Sequence, residues 1–235
     1  MLTHTIRTRG LHAAVRFAPI APMDKQHKQL FQAKCSEGFD WRREEYNENH
    51  WILRSPQSEG DPRSLLQLAL QRDSLSFEDH FPTGSLDLFN DNLRLALDAV
   101  ASVFSPRLIL GTGIVIRMTV EAPGGDARIF LGNRAFHLGD RLAPLGRPIH
   151  AVGLRLLMPP IPGENQPNWQ AEVKIESLVE DYRQIFIELD ARWSNAQPWN
   201  LDEVTSNVRT AHAFATEQVV RFLEQFDDTP PPPTA

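Results

Sequence analysis

The sequence is poor in cysteine, with Cys35 alone among its 235 residues. A single cysteine excludes a disulfide within the chain and a metal site made only of cysteines, and it is typical of a protein from a reducing compartment. No obvious helix start or histidine lies beside Cys35 in the sequence to activate its thiol. We therefore expect Cys35 to be a small, buried apolar residue.

Long apolar runs are also missing, because no stretch approaches the 18 consecutive apolar residues that a membrane-crossing helix needs. The first twenty residues carry three arginines and two histidines where a signal peptide has an apolar centre. Hydrophobic residues nevertheless make up 41% of the chain, which is enough for a folded core. These observations predict a cytoplasmic protein that makes no membrane contact.

The sequence lacks the common signatures of catalysis and of metal or nucleotide binding. It contains no phosphate loop, no Gly-x-Ser-x-Gly elbow, no His-Glu-x-x-His and no Cys-x-x-Cys. Residues 111–113 read Gly-Thr-Gly, but without a third glycine and a following helix they indicate a bend or bulge rather than a dinucleotide site. We expect neither a metal nor a cofactor. The formal net charge of −6 makes nucleic acid an unlikely partner.

The first half of the chain alternates apolar and polar residues before a long helical pattern. Leucines at every second position of 66–71, followed by a similar run at 74–79, predict an antiparallel hairpin. Apolar residues at spacings of three and four predict a helix over 85–104, with Ser85 as its N-cap. Before these elements, we expect a strand at 14–17 and a short helix capped by Asp24.

The second half of the chain follows the same plan. The pattern predicts a strand at 107–121, a partner strand at 127–136, a strand at 151–157, a hairpin of 171–178 with 184–193, and a helix at 202–226. The hairpin, loop and helix of residues 66–104 thus recur at 171–226.

Together these patterns predict an α+β fold with antiparallel sheets in two pseudo-repeated halves, each followed by and packed on one long amphipathic helix. The halves would span residues 1–106 and 107–226, and a disordered proline-rich tail would occupy 227–235. We infer an internal duplication. Whether the two halves share one sheet or form two stays open at this point.

Four stretches also suggest a family. The chain contains, in this order, LLQLALQRDSLSFEDHFP, LILGTGIVIRMTV, IFIELDARW and NVRTAHAFATEQVVRFLEQ. In order and spacing they resemble a sporadically distributed bacterial family of unknown function. Its members carry a hairpin ending in Asn-Trp-Arg, an Arg-Tyr-Ile-Asn strand, and a Leu-Asp-Ile-Asp strand before a helix with Leu-His. The strand around Asp190 and the helix residue His212 match well, whereas residues 77–79 and 116–119 depart from the motifs. The resemblance implies a fold but no chemistry.

Two groups of charged residues are candidates for a site. Glu188 and Asp190 share one face of a predicted strand, at a separation that suits paired carboxylates or one cation, although a solvated outer face also explains them. Residues 107–155 carry seven arginines and three acidic residues. Among these arginines, Arg117, Arg128 and Arg134 would form an anion site if they converged on one sheet face.

The absence of catalytic signatures favours a non-enzymatic binding or assembly protein, which acts through contacts with a protein partner or with its own copies. The alternative is an enzyme, or a protein that responds to a nucleotide or another anion, using Glu188, Asp190 and the series of arginines from Arg107 to Arg155.

Overall fold

The computed structural model describes residues 2–36, 41, 43–46, 50–58, 60–163 and 166–227. Ten strands are present in these ranges: β1 (Arg7–Phe17), β2 (Arg43–Tyr46), β3 (His50–Pro56), β4 (Leu65–Gln71), β5 (Ser74–His80), β6 (Leu108–Glu121), β7 (Gly153–Met158), β8 (Gln170–Ser177), β9 (Gln184–Trp193) and β10 (Gln197–Pro198).

The helices lie between and after the strands. They are α1 (Lys25–Cys35), α2 (Leu86–Phe104), α3 (Ala127–Ile129) with a π-helical continuation over Phe130–Ala135, α4 (Leu201–Ala213) with a π-helical turn over Phe214–Val219, and α5 (Val220–Glu224). Short 3-10 turns cover Leu2–Thr5, Pro123–Gly125 and Gly139–Leu145. No helix in the described ranges has both the length and the apolar character to cross a membrane.

All strands belong to one antiparallel sheet with the order β2-β3-β4-β5-β1-β6-β9-β8-β7, and β10 pairs with β6. The predicted α+β fold with antiparallel strands and two long helices is therefore confirmed. The sheet also answers the question that the sequence left open, because the two halves share it. The order β3-β4-β5-β1 of the first half returns as β7-β8-β9-β6 in the second, and the halves meet where β1 pairs with β6.

The two long helices pack against each other on one face of this sheet. Leu93 and Leu97 of α2 and Val204 and Val208 of α4 have no exposed surface. Burying such side chains stabilises a fold by about 1.5–3 kcal/mol each. Because side chains alternate along a strand, every second strand residue points away from these helices. We call the surface that these residues form the outer face.

Where β1 pairs with β6, the ladder contains two bulges that are related by a two-fold rotation. We call them the mirrored bulges. In β1, the extra residue is Arg9, followed by Gly10; in β6 it is Leu110, followed by Gly111. Gly10 pairs with Arg117 and Gly111 pairs with Arg16, so a two-fold rotation would exchange the two ends of the pair. The glycine bend predicted at 111–113 thus takes the form of a bulge.

Most local predictions are confirmed. The hairpin of β4 and β5 and the hairpin of β8 and β9 have the expected positions. Ser85 caps α2 by accepting a hydrogen bond from the Leu88 amide, and Asp24 caps α1 in the same way through His27. In contrast, β1 is longer than the predicted strand at 14–17, because it begins at Arg7.

One predicted strand is wrong. Residues 127–136 form α3 and its π-helical continuation instead of pairing with β6. Asp126 starts this helix, since its side chain accepts hydrogen bonds from the amides of Arg128 and Ile129. The buried apolar side chains of this segment recur at helical spacings of three and four residues: Ala127, Phe130, Leu131 and Ala135. Apart from Asp227, the predicted tail at 227–235 lies outside the described residues.

Candidate functional site

The predicted acidic pair lies on β9 with both carboxylates on the outer face. Arg117 donates from Nε to Glu188 Oε2 at 2.8 Å, and Lys174 donates from Nζ to Glu188 Oε1 at 2.7 Å. Asp190 instead forms an ion pair with Arg192 of its own strand, with 3.0 Å between Nε and Oδ1. Each carboxylate is therefore paired with a cation within the protein.

The ion pairs on the outer face form a row across the neighbouring strands β6, β9, β8 and β7. Arg155 of β7 holds Glu172 of β8, and Lys174 links Glu172 to Glu188. Burial raises the pKa of Glu188, but hydrogen bonds from Lys174 and Arg117 outweigh it, so the pKa lies below its usual value. Glu188 is thus held as a charged strand-linking group, which does not suit a general acid. Within the described ranges, no group of three or more histidines, cysteines or carboxylates could hold a metal ion.

The three predicted anion-binding arginines do not come together. Arg117 lies on the outer face, whereas Arg128 lies in α3, where it pairs with Asp126 at 2.7 Å and covers the Tyr182 ring at 3.9 Å. Arg134 lies in the π-helical continuation of α3. Its Nη1 is buried and has no hydrogen-bond partner among the described residues. The structure therefore brings Arg117 to the acidic pair and places the other two arginines elsewhere.

On the first half of the outer face, a smaller polar cluster surrounds β1. His80 Nε2 lies 3.0 Å from Glu78 Oε2, and His12 Nε2 lies 3.8 Å from Glu78 Oε1. Burial lowers the pKa of His12, and the charges of Arg117 and His80 lower it further, although Glu78 opposes them. This lowered pKa favours a neutral imidazole at position 12.

An apolar groove on the helix side of the sheet was not predicted from the sequence. It lies between the edge strand β7, its neighbour β8 and the helix formed by α4 and α5. Two adjoining cavities of about 490 and 180 Å³ make it up, and both are lined by Met158, Phe214 and Gln218. We call it the β7 groove. Its size falls in the range of ordinary ligand and peptide sites.

Aromatic side chains shape the β7 groove. Trp169 stacks on Trp193 with 5.1 Å between ring centroids and meets Phe214 edge-on at 5.2 Å. At the rim, Ile161 is 50% exposed. The groove therefore has mainly apolar walls and few groups that could do chemistry.

The corresponding surface of the first half is covered. There, β3 and α2 occupy the places that β7 and α4 occupy in the second half. Helix α1 packs on α2, its Phe31 meets Trp51 of β3 with 5.2 Å between ring centroids, and its His27 stacks on Phe104 at 5.2 Å. The same kind of surface thus carries a helix in one half, and in the other half no helix of the described residues covers it.

The segment that connects β6 to β7 explains this difference. The amide of Ala127 donates to the carbonyl of Tyr182 at 2.7 Å, which ties α3 to the turn between β8 and β9. Helix α3 therefore packs on β8, whereas α1 of the first half packs on α2. The apolar residues of the β7 groove are visible in the sequence. Nothing in the sequence, however, indicates whether a connecting segment covers them in the folded protein.

Comparisons with known proteins add little to this description. No protein-family model matches the chain, and no curated protein sequence matches it. Among solved structures, the chain is similar to aspartate kinase from Clostridium acetobutylicum, an allosteric enzyme, at 8% sequence identity and a TM-score of 0.22. The match covers 90% of this chain and 34% of the kinase chain, so this chain spans about a third of that protein. A likeness at this level supports no argument, and the resemblance to the sporadically distributed bacterial family stays a prediction.

Proposed function

We propose that the protein is a non-enzymatic binding protein that docks an amphipathic helix of a partner protein in the β7 groove. The observation that carries this proposal is the covered surface of the first half. There, the chain itself seats such a helix, α1, on the counterpart of the groove. Helix-in-groove binding is a common mode of protein recognition.

Helix α1 indicates the chemistry of the partner. Its buried residues are Phe31 and Cys35, which lie four positions apart and hence on one side of the helix. Its other positions are largely polar, with Lys25, Lys28 and Lys34 among them. We therefore propose a partner helix with an aromatic anchor, a second small apolar anchor one turn later, and a polar outer side.

An internal duplication accounts for why one chain carries two such surfaces. The palindromic strand order and the mirrored bulges at Gly10 and Gly111 support this origin. In the first copy, the connecting segment became the resident helix. In the second copy, the surface remained free for a partner.

The test uses a synthetic peptide of residues 24–36 as the probe. A fluorescently labelled form should bind the full-length protein saturably, with an anisotropy change at micromolar to millimolar protein. The substitution Ile161→Asp should weaken binding at least tenfold, because it places a charge at the rim of the groove. The matched control is Leu145→Asp, since Leu145 is 61% exposed and lies outside the groove.

Three results would contradict the proposal. The first is no saturable binding, and the second is equal binding by a peptide that carries Phe31→Ala. The third is light scattering that shows a dimer of the wild-type protein and a monomer of Ile161→Asp, because a second copy would then cover the groove. Retention of peptide binding by Leu145→Asp and a monomeric wild-type protein would support the proposal.

A further inference from the structure

A separate cavity of about 440 Å³ lies on the outer face, where β1 begins and β6 ends. Its walls combine arginines with apolar side chains, chiefly Arg9, Arg63, Arg117, Phe81, Leu178 and Phe186. None of these residues lines the β7 groove. The cavity is therefore an independent feature of the molecule.

The bulge in β1 places Arg9 in this cavity. Thr8 pairs with Met118, whose side chain is buried on the helix side, and Gly10 pairs with Arg117, which lies on the outer face. Because Arg9 is the extra residue between them, its side chain joins that of Arg117 on the outer face. There, its Nη2 donates to Gln184 Oε1 at 2.9 Å and its Nε to Thr119 Oγ1 at 3.2 Å.

Both partners of Arg9 are neutral. Within the described ranges, Arg9 forms no ion pair with a carboxylate, although its side chain is half-buried. Its neighbours differ, because Arg63 is held by Asp61 and Arg117 by Glu188. Arg9 therefore contributes a positive charge to the cavity that the chain does not neutralise by direct pairing.

The counterpart of Arg9 shows that the bulge itself does not require an arginine. Leu110 occupies the extra position of the mirrored bulge in β6, and it too is followed by a glycine. The bulge thus forms around an apolar residue in the second half. A role beyond shaping the strand accounts better for the guanidinium at position 9.

Phe81 forms the aromatic wall of the cavity in a strained conformation. Its φ of 48° is uncommon for a bulky residue, and such strain clusters at functional sites. The Phe81 amide donates to the Arg9 carbonyl at 3.0 Å, and the Ser64 hydroxyl donates to the Phe81 carbonyl at 3.0 Å. The guanidinium carbons of Arg63 and Arg9 lie 4.5 and 5.8 Å from its ring centroid.

Together, an unneutralised guanidinium and rigid aromatic walls suit a ligand with one charged end and an apolar body. Glu180 and Asp181 also line the cavity. Arg183 holds Asp181 through two hydrogen bonds of 2.9 and 3.0 Å, and Glu180 is exposed, so that solvent screens its charge. We propose that this cavity binds a small organic anion, whose carboxylate or phosphate pairs with Arg9 and whose apolar body lies against Phe81 and Phe186. Charge-assisted hydrogen bonds from a guanidinium are the usual means of binding such groups.

The test measures binding of four probes to the full-length protein by calorimetry. 3-Phenylpropionate and phenyl phosphate carry both a charge and a ring, 3-phenylpropionamide lacks the charge, and inorganic phosphate lacks the ring. We expect at least one of the first two to bind at least tenfold more tightly than the amide and inorganic phosphate. The charged probe that binds most tightly shows whether the ligand carries a carboxylate or a phosphate.

The decisive variant is Arg9→Leu, which installs the residue that the mirrored bulge already tolerates. It should weaken binding of the charged probes at least tenfold and leave binding of the amide unchanged. The control is Arg7→Gln, which removes the same charge from an exposed neighbour whose side chain is 65% accessible, and it should change affinity less than twofold. If Arg9→Leu fails to fold, Arg63→Gln provides a second variant with a smaller expected loss.

Three outcomes would overturn the proposal. They are binding of both charged probes no tighter than that of the amide, unchanged affinity in Arg9→Leu, and no binding of any probe at millimolar concentration. None of them bears on the β7 groove, since that groove shares no residue with this cavity.

Discussion

The two halves of the sheet share one strand order but differ in what lies on their apolar surfaces. In the first half, α1 covers the surface beside β3 and α2, and Phe31 is 1% exposed there. In the second half, the surface beside β7 and α4 forms the open β7 groove. The repeated strands and helices are thus compatible with both a covered and a free surface.

The connecting segments decide between these outcomes. In the first half, Asp24 starts α1 after a stretch anchored by the buried side chains of Ile20 and Met23. In the second half, Asp126 starts α3, and the Ala127 amide ties this helix to the turn around Tyr182, so that α3 packs on β8. The comparison teaches that a pseudo-symmetric fold becomes asymmetric on its surface through its connecting segments, which vary more freely than its core.

The largest effect is expected from a substitution that compares the surface covered by α1 with the β7 groove. Phe31→Ala should lower the free energy of unfolding by about 3–5 kcal/mol, because it removes a buried ring between α1 and Trp51. Ile161→Ala, at the rim of the β7 groove, should change it by less than about 0.5 kcal/mol. Guanidinium unfolding measures both values. Equal losses would mean that something covers the second groove as firmly as α1 covers the first.

The reactivity of Cys35 reports how tightly α1 is seated. Burial raises the pKa of its thiol to about 12. Since the thiolate is the reactive form, its fraction at pH 8 falls to about one in ten thousand. We expect labelling by a thiol reagent to be roughly a thousandfold slower in the native protein than in the unfolded one, and Phe31→Ala to accelerate it. Fast labelling of the wild-type protein would contradict a firmly docked α1.

The same substitution at the two mirrored bulges should have unequal effects. At Gly111, an added Cβ would lie 2.9 Å from the carbonyl oxygen of Trp193, which is backbone and cannot swing aside. At Gly10, its nearest neighbour would be 3.8 Å away. Gly111→Ala should therefore destabilise the protein by about 1–3 kcal/mol, and Gly10→Ala by less than about 0.5 kcal/mol. The melting temperatures of the two variants measure these losses of stability. Equal melting temperatures would contradict the expected difference in space around the two glycines.

The smallest effect concerns the outer face, where the first half carries His12 and the second half carries Gly113 at the mirrored position. Burial lowers the pKa of His12 below its usual 6.5. The unfolded chain therefore binds a proton more readily than the folded one as the pH falls through 6.5, and stability decreases. His12→Gln should reduce the stability lost between pH 7 and pH 5.

His212, whose pKa is also lowered by burial, leaves part of this pH dependence in place in the variant. Urea unfolding at several pH values measures the difference. An unchanged pH dependence in His12→Gln would show that His12 does not resist protonation in the folded protein.

Local chemistry in the sequence predicts much of the fold. The alternating leucines of β4 and the caps at Ser85 and Asp24 are confirmed, because each depends on neighbours within a few residues. The strand predicted at 127–136 is wrong, although the signal for a helix there is equally local, because the Asp126 side chain caps α3 by accepting hydrogen bonds from the amides of Arg128 and Ile129.

The candidate sites were much harder to predict. Glu188 and Asp190 do share a face, but the sequence could not show that Arg117, Lys174 and Arg192 pair with them. No sequence pattern marks Arg9, since its position depends on a bulge that forms only when β1 pairs with a strand far along the chain. The β7 groove was missed for a similar reason, because exposure of an apolar residue depends on what packs over it.

By itself, the sequence determined that the chain forms antiparallel hairpins and two long amphipathic helices, because the spacing of apolar residues and the caps act over a few residues. Only the tertiary structure decided that the two halves share one sheet, that one apolar surface is covered and the other free, and that Arg9 faces a cavity. These features depend on contacts between residues distant in the chain, whose pairing no local pattern specifies.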